Sequence, residues 1–588
     1  MTHEPAGGRT AGQRVSGVKM RAVIRAIVAS FVSLLGCTSV PPPVYTPVTT
    51  PLTPPEPQER VVYCHFSVER RGIEECPEPL SQEMVSHRKA TIALHYKGDV
   101  LVRREQMNGS LVPDDNEDRV AIYEYRYEGE HLREVAALSN SRALRFRMVY
   151  SPDRMRVDYV SPAGRPKLMW KLVTSETRTF DKHGYIQSRR FFDRLGHPTK
   201  NQLGVYELRY TRDERGYWTQ IEAMDAAGRP MINQDGFHRV AFERGRWGVA
   251  LVERYFGTAG EPVRSFGVHG LQASFDVWGN QTQIRYFDQY GQPAVHFKNG
   301  ARSEVRYDAR GNPVENAFFD VQDRPRKNKE GWASRTRRFD HKGRPIESSF
   351  RDEHGMPVKW APLRRFIWDD RDRLVERRYF DENGNPIAGE PSTERIDFDK
   401  HDNLVRTRFF DAEGRPINTR DKFTEYRVMY NEDDQPIEKV YFGADGKLAD
   451  SSRESARAVY NYDEAGKLIK TEYFDPSGNP TERMGARHLV VMYQGATRAP
   501  STVTRTAADA RRLAEEAKKR IAEGLSFDEA VALYSDEPSA AARGGDLGIF
   551  PRGRMVAEFE QGLLATPVDE VSDVVESPFG FHLILRTQ

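Results

Sequence analysis

Between residues 111 and 483 hydrophobic and polar positions alternate one by one in short runs, as in Glu-Arg-Arg-Tyr-Phe before Asp381, Arg-Thr-Arg-Phe-Phe before Asp411 and Glu-Lys-Val-Tyr-Phe before Gly443. Period-two patterning rich in aromatics predicts half-buried β-strands. The runs are punctuated by Asp-x-x-Gly. Asp accepts a backbone N–H two residues on, and Gly supplies the positive φ that closes a turn. One series of these turns falls at Asp193, Asp225, Asp288, Asp320, Asp352, Asp381, Asp411 and Asp475, with Gly257 and Gly443 filling two places. Its steps are 29 to 32 residues, and a second Asp or Asn lies twelve residues before most members. Each unit therefore predicts two strand–turn elements. One unit cannot bury its aromatic face alone, but stacked neighbours can. The expected architecture is an all-β repeat array, a β-solenoid or twisted β-ribbon.

From Met484 the period changes. Arg487–Met492 reads as an apolar strand, and Thr506 to Asp509 as a capping-box-like helix start. Ala510, Leu513, Ala514, Ala517 and Ile521 then recur at helical spacing, with Gly524 as a stop. Ser526 to Glu529 opens a second helix, followed by a Gly-rich turn at 544–548, a short helix around Val556–Leu564, and strands near Val571–Val575 and Phe581–Arg586. This β–α–α–β–α–β order predicts a small α+β domain over 484–588.

The N-terminal end has another character. Arg21 and Arg25 flank the start of an apolar run that ends at Leu34-Leu35-Gly36-Cys37. Its length suits a signal peptide better than a membrane span. The Pro/Thr-rich stretch that follows Cys37 predicts an extended spacer. Residues 1–36 are thus expected to be a signal, preceded by an extension before Met20. Residues 37–60 form the linker and 61–110 a small Cys-containing region, before the repeats of 111–483. Three cysteines occur in all. In an exported chain the remaining pair, Cys64 and Cys76, favours a disulfide over two buried thiols. Two such ligands without nearby His spacing close no metal site.

Composition narrows the classes. Of 588 residues, 88 are basic and 86 acidic, so net charge is +2 and no broad field points to nucleic acid. An aromatic share of 11% is too high for a disordered chain. A calcium reading of Asp381-Glu382-Asn383-Gly384 lacks the further oxygen ligands and closing Glu of an EF-hand. No cofactor is called for.

Three resemblances add to this. Leu34–Cys37 resembles a bacterial lipobox, which implies cleavage before Cys37, its lipidation, and an envelope location, with Thr38-Ser39 pointing to the outer membrane. Tyr462–Leu468 resembles the YD repeats of bacterial surface proteins. His488-Leu489-Val490-Val491, Gly544-Gly545-Asp546-Leu547-Gly548 and Phe579-Gly580-Phe581-His582, in that order, resemble parvulin-type peptidyl-prolyl isomerases. That resemblance implies a proline slot of Leu547, Met555 and Phe559 with Phe550 beside them, and a catalytic set of His488, Glu537 and His582. Glu537 departs from the family, which carries Cys or Asp there, and reaches one carbon further than Asp. Arg498 is the one basic residue where phosphate-directed members carry a cluster. The implied partners are proline-containing exported polypeptides and, through Cys37, a membrane. The rival expectation is a non-catalytic envelope protein whose repeats hold a protein or glycan.

Overall fold

The computed structural model describes residues 59–587 except 109–119, 170–171, 298, 452–454, 464–465, 467, 524, 538–539 and 541–543. Cys37, the linker and Gly524 therefore lie outside the described residues.

Twenty-eight strands form one antiparallel sheet that runs from Glu59–Cys64 to Pro480–Thr481. Apart from the short hairpin Val68–Arg70/Ile73–Glu75, each strand as far as Thr481 pairs with the next in sequence. The stretch 61–110, set apart in the sequence by its cysteines, is part of this sheet: Glu59–Cys64 pairs with Ala90–Lys97, and Ala90–Lys97 with Val100–Asn108.

The turn chemistry is visible atom by atom. In the hairpin unit ending at Phe410, Asp411 Oδ1 accepts from the N–H groups of Glu413 (3.0 Å) and Arg415 (2.8 Å), and Gly414 takes φ +80°. Pro416 then bridges back to Phe410. Proline has no N–H to offer a ladder, so it suits this single edge bridge. The twelve-residue hairpins share a second feature: the register slips by one at the last residue of the first strand, as between Asp397 and Phe398 and between Met429 and Tyr430. Such a bulge increases the local twist.

The sheet coils back on itself. Lys89 N–H donates to Asn280 Oδ1 (2.7 Å), Asn108 to the Lys342 carbonyl (2.7 Å), Ser139 to Asp402 (2.8 Å) and Lys167 to the Asp433 carbonyl (2.9 Å). Turns near the start of the sheet thus rest in order on turns roughly two hundred residues or more later. The main core lies in the first half, around Leu94, Leu132, Phe191, Leu208 and Ile284. Buried among it, Arg178 pairs with Glu176 (2.5 Å) and with Glu69, the latter carried in by the loop that the Cys64–Cys76 disulfide closes.

After Thr481 a separate four-stranded sheet begins, in the order Asp546–Pro551, Arg483–Val491, Gly580–Arg586, Val575–Ser577. Helices Ala507–Ala522, Phe527–Tyr534 and Ala557–Ala565 accompany it. Ser526 and Glu529 form a full capping box, and Thr506 caps the first helix. The strand expected over 571–575 is not continuous. Val571 makes one bridge to Leu585, and Ser572 Oγ accepts the Ile584 N–H (3.0 Å) where a carbonyl would sit in a ladder. The paired strand starts only at Val575.

Candidate active site

His488 and His582 stand on the two central strands. The register pairs His488 with Ile584 and Val490 with His582, so the histidines are diagonal neighbours on one face. Their rings stack at 16° with centroids 5.4 Å apart, and Nδ1 of each lies 3.1 Å from Nδ1 of the other.

Glu537 reaches this pair because its segment is fastened to the strand. Asp536 N–H donates to the Val490 carbonyl (2.9 Å), Ser535 Oγ accepts the Val490 N–H (3.2 Å), and Asp536 Oδ2 accepts the Met492 N–H (2.8 Å). The carboxylate of Glu537 then sits 3.0 Å from His488 Nε2, with its side chain 28% exposed. On the far side His582 Nε2 lies 2.6 Å from Ser577 Oγ.

These contacts form one chain with a consistent set of donors. Ser577 O–H donates to His582 Nε2, His582 Nδ1–H to His488 Nδ1, and His488 Nε2–H to the Glu537 carboxylate. In this set each ring uses one donor and one acceptor. His582 is 4% exposed. Burial, with the neighbouring His488 adding to it, pushes its pKa down to about 3, against a partial upward pull from Glu537. The ring is therefore neutral at physiological pH, as the chain requires.

Beside the histidines is an apolar wall. Phe559 meets both rings edge-on, at 5.6 Å and 5.5 Å. Phe559 and Phe550 are buried with Met484, Ala486, Leu563 and Ile584, while Leu547 and Met555 pack against them half-buried. Exposed Arg552 and Arg554 flank this wall in the loop before Met555. That loop is held from below by Glu560, which accepts the N–H groups of Gly553 and Met555 (3.0 Å each). The Gly-Gly turn is a packing necessity: a side chain on Gly545 would meet the His488 carbonyl at 2.0 Å. Arg487 clamps the same turn through the Gly544 carbonyl and Asp528.

The structure thus brings His488, Glu537, His582, Leu547, Phe550, Met555 and Phe559 into one locality. Arg498 is exposed, with its guanidinium over the Phe579 ring at 5.8 Å. Arg505, the other basic residue near that loop, is committed to Asp536 and to the Met492 carbonyl. Ser577 and Glu560 are site-supporting residues that sequence reasoning did not single out. Among the described residues no group of three or more His, Cys, Asp or Glu is placed to hold a metal ion.

Residues 468–587 match the family described as PPIC-type PPIASE domain. The segment is 39% identical over 114 residues to a putative peptidyl-prolyl cis-trans isomerase, dodo, of Drosophila melanogaster, covering 18% of this chain and 68% of that protein. The chain belongs to the parvulin-type peptidyl-prolyl isomerase family. It is also 36% identical over 118 residues to a foldase protein PrsA of Halalkalibacterium halodurans (20% of this chain, 30% of the relative). With a chaperone SurA of Dechloromonas aromatica it shares 42% identity over 99 residues (17% and 20%). The chain thus spans less than a third of these two bacterial relatives, and the shared part of this parvulin-family chain is its C-terminal domain.

Proposed function

We propose that this protein is a peptidyl-prolyl cis/trans isomerase that assists the folding of exported polypeptides in a bacterial envelope. The observation that carries this is the half-open apolar wall of Leu547, Met555, Phe550 and Phe559 set directly against the Glu537–His488–His582–Ser577 chain. Amide rotation needs no nucleophile and no metal; its barrier of about 18–20 kcal/mol is the loss of resonance. A proline ring seated on the wall leaves its preceding carbonyl near Glu537. The planar amide carries more negative charge on that oxygen than the twisted one. A fixed carboxylate nearby therefore disfavours the planar form relative to the transition state. The histidines act as positioning residues that hold the carboxylate.

The remaining parts complete the proposal. Cys37 carries a lipid anchor, the Pro/Thr-rich linker is a tether, and the long sheet is a solenoid-like array of YD-like repeats that spaces the domain from the membrane or holds its clients. The relatives' printed names, foldase and chaperone, agree with a role in folding.

The test is a protease-coupled assay on proline peptides. The chain is expected to accelerate isomerisation, and Met555→Ala together with Leu547→Ala is expected to lower kcat/KM by 10-fold or more through KM. Rates equal to buffer for the unmodified chain would end the proposal.

A further inference from the structure

The first half of the long sheet shows how arginines on its core-bearing face are neutralised. Glu69 and Glu74 stand opposite each other in the short hairpin Val68–Arg70/Ile73–Glu75. Glu69 pairs with Arg178, and Glu74 with Arg104 at 3.3 Å. Arg178 is the fourth residue of Ser175–Phe180, with Glu176 two places before it and Arg189 directly across. Glu176 pairs with both Arg178 (2.5 Å) and Arg189 (2.8 Å), so carboxylates and guanidinium groups balance there. Further along the sheet, Arg377 is matched by Glu394 on the neighbouring strand (3.0 Å).

One stretch of the same face lacks this balance. Arg337 holds the place of Arg178, fourth in Ser334–Phe339, but the residue two before it is Arg335 and the residue across is Ser348. Ser348 pairs on its other side with Arg364. Strand alternation puts the three arginines on one face. Among the described residues no carboxylate lies within ion-pair distance of any of them. Arg335 and Arg337 both donate to Asn316 Oδ1 (3.2 and 3.0 Å), and Arg364 donates to the Ala361 carbonyl (3.4 Å). Arg335 Nε is buried and donates to no protein acceptor. Glu330 acts on Arg335 and Arg364 only from beyond contact, and offsets part of their field. Burial lowers the pKa of all three, that of Arg337 to about 10 with Arg335 adding to it, which leaves them charged at physiological pH. They are half-buried, whereas Arg104 and Arg178 are fully buried.

We infer that Arg335, Arg337 and Arg364 form a binding patch for an acidic extended segment of another polypeptide. The molecule carries the template for this contact: a short extended segment brings two carboxylates, side by side, onto arginines of this face, one of them at the place that Arg337 holds. The planar guanidinium fork matches a carboxylate. Neighbouring strands lie about 5 Å apart, so three charges spread over two hairpins fit a segment with two or more carboxylates better than one small anion. Trp332 lies under Arg335 (5.1 Å) and Phe350 under Arg364 (4.3 Å). This apolar surface beside the charges suits a peptide with alternate apolar side chains.

The experiment is fluorescence anisotropy of the full chain, at fixed ionic strength, with three labelled probes: an end-capped Val-Glu-Val-Glu-Val peptide, its Val-Gln-Val-Gln-Val counterpart, and a short oligothymidylate. None contains proline, so the outcome is separate from that of the isomerase assay. Saturable binding of the glutamate peptide is expected, at least 10-fold tighter than that of either other probe. Arg335→Ser with Arg337→Val installs the residues that the preceding hairpin has at the same places, Ser303 and Val305. This variant is expected to keep the thermal midpoint and the isomerase rate while binding falls at least 10-fold. Arg364→Ala, which matches Ala458 in the last hairpin, is the milder change and is expected to weaken binding at least 3-fold. Absence of saturable binding, equal affinity for the glutamine peptide, unchanged affinity in either variant, or tighter binding of the oligothymidylate would each overturn the inference.

Discussion

At the scale of single residues, His582 is the most informative. Its ordinary pKa of 6.5 is lowered to about 3 in the folded domain, first by burial and then by His488. Below pH 6.5 the unfolded chain takes up a proton that the folded chain refuses until about pH 3. The stability this group provides is therefore complete above pH 6.5 and is lost as pH falls through that window, by up to about 1.4 kcal/mol per pH unit. Urea denaturation of the C-terminal transition at pH 7 and pH 5 is expected to show this drop, and His582→Gln to flatten it. The histidines themselves were legible in the sequence because each sits in a short apolar strand within a familiar motif. Ser577 was not. Its bond to His582 depends on the tight turn between Ser577 and Gly580, and no periodicity marks a small polar residue in a turn. Arg498 shows the other limit of the sequence: its place in the loop can be read there, but the packing of its guanidinium over the Phe579 ring, 81 residues on, cannot.

At the scale of elements, the turns were read from sequence more securely than the strands. Asp-x-x-Gly is a local device, decided within five residues, and Asp411 shows it with two backbone bonds and an ion pair to Arg415 (2.9 Å). Asp411→Ala is expected to cost about 1 kcal/mol, and Asp411→Asn much less. The paired comparison is the thermal midpoint of the sheet, with amide exchange at Glu413 and Arg415 locating the loss. Strand limits depend on partners that a local reading does not contain. Arg483–Val491 runs four residues further back than the apolar pattern because Met484 and Ala486 pair with Asp546–Pro551. The 571–575 run fails as a strand because Ser572 takes over a ladder bond with its own hydroxyl.

At the scale of the whole molecule, alternation predicted strands but not the path they follow. The coil depends on contacts such as Asn108 with Lys342 and Ser139 with Asp402, pairs separated by more than two hundred residues with no shared local signal. The same holds for the disulfide loop. The cysteines were visible, but not that their loop delivers Glu69 to the buried Arg178. Replacing Cys64 and Cys76 with Ala is expected to destabilise the sheet by about 3 kcal/mol, seen as a lower thermal midpoint in non-reducing buffer. The C-terminal domain's own transition is expected to stay where it was. The domain carries the central claim, that a glutamate serves where the family has a shorter residue. The direct measurement is NMR exchange spectroscopy of an Ala-Glu-Pro-Phe peptide with the full chain and with its Glu537→Ala, Glu537→Asp and Glu537→Gln variants. The account predicts catalysed exchange by the unmodified chain, retention by Asp within about 10-fold, and losses of roughly 10²-fold for Ala and Gln. Equal exchange rates for the unmodified chain and Glu537→Gln would contradict it.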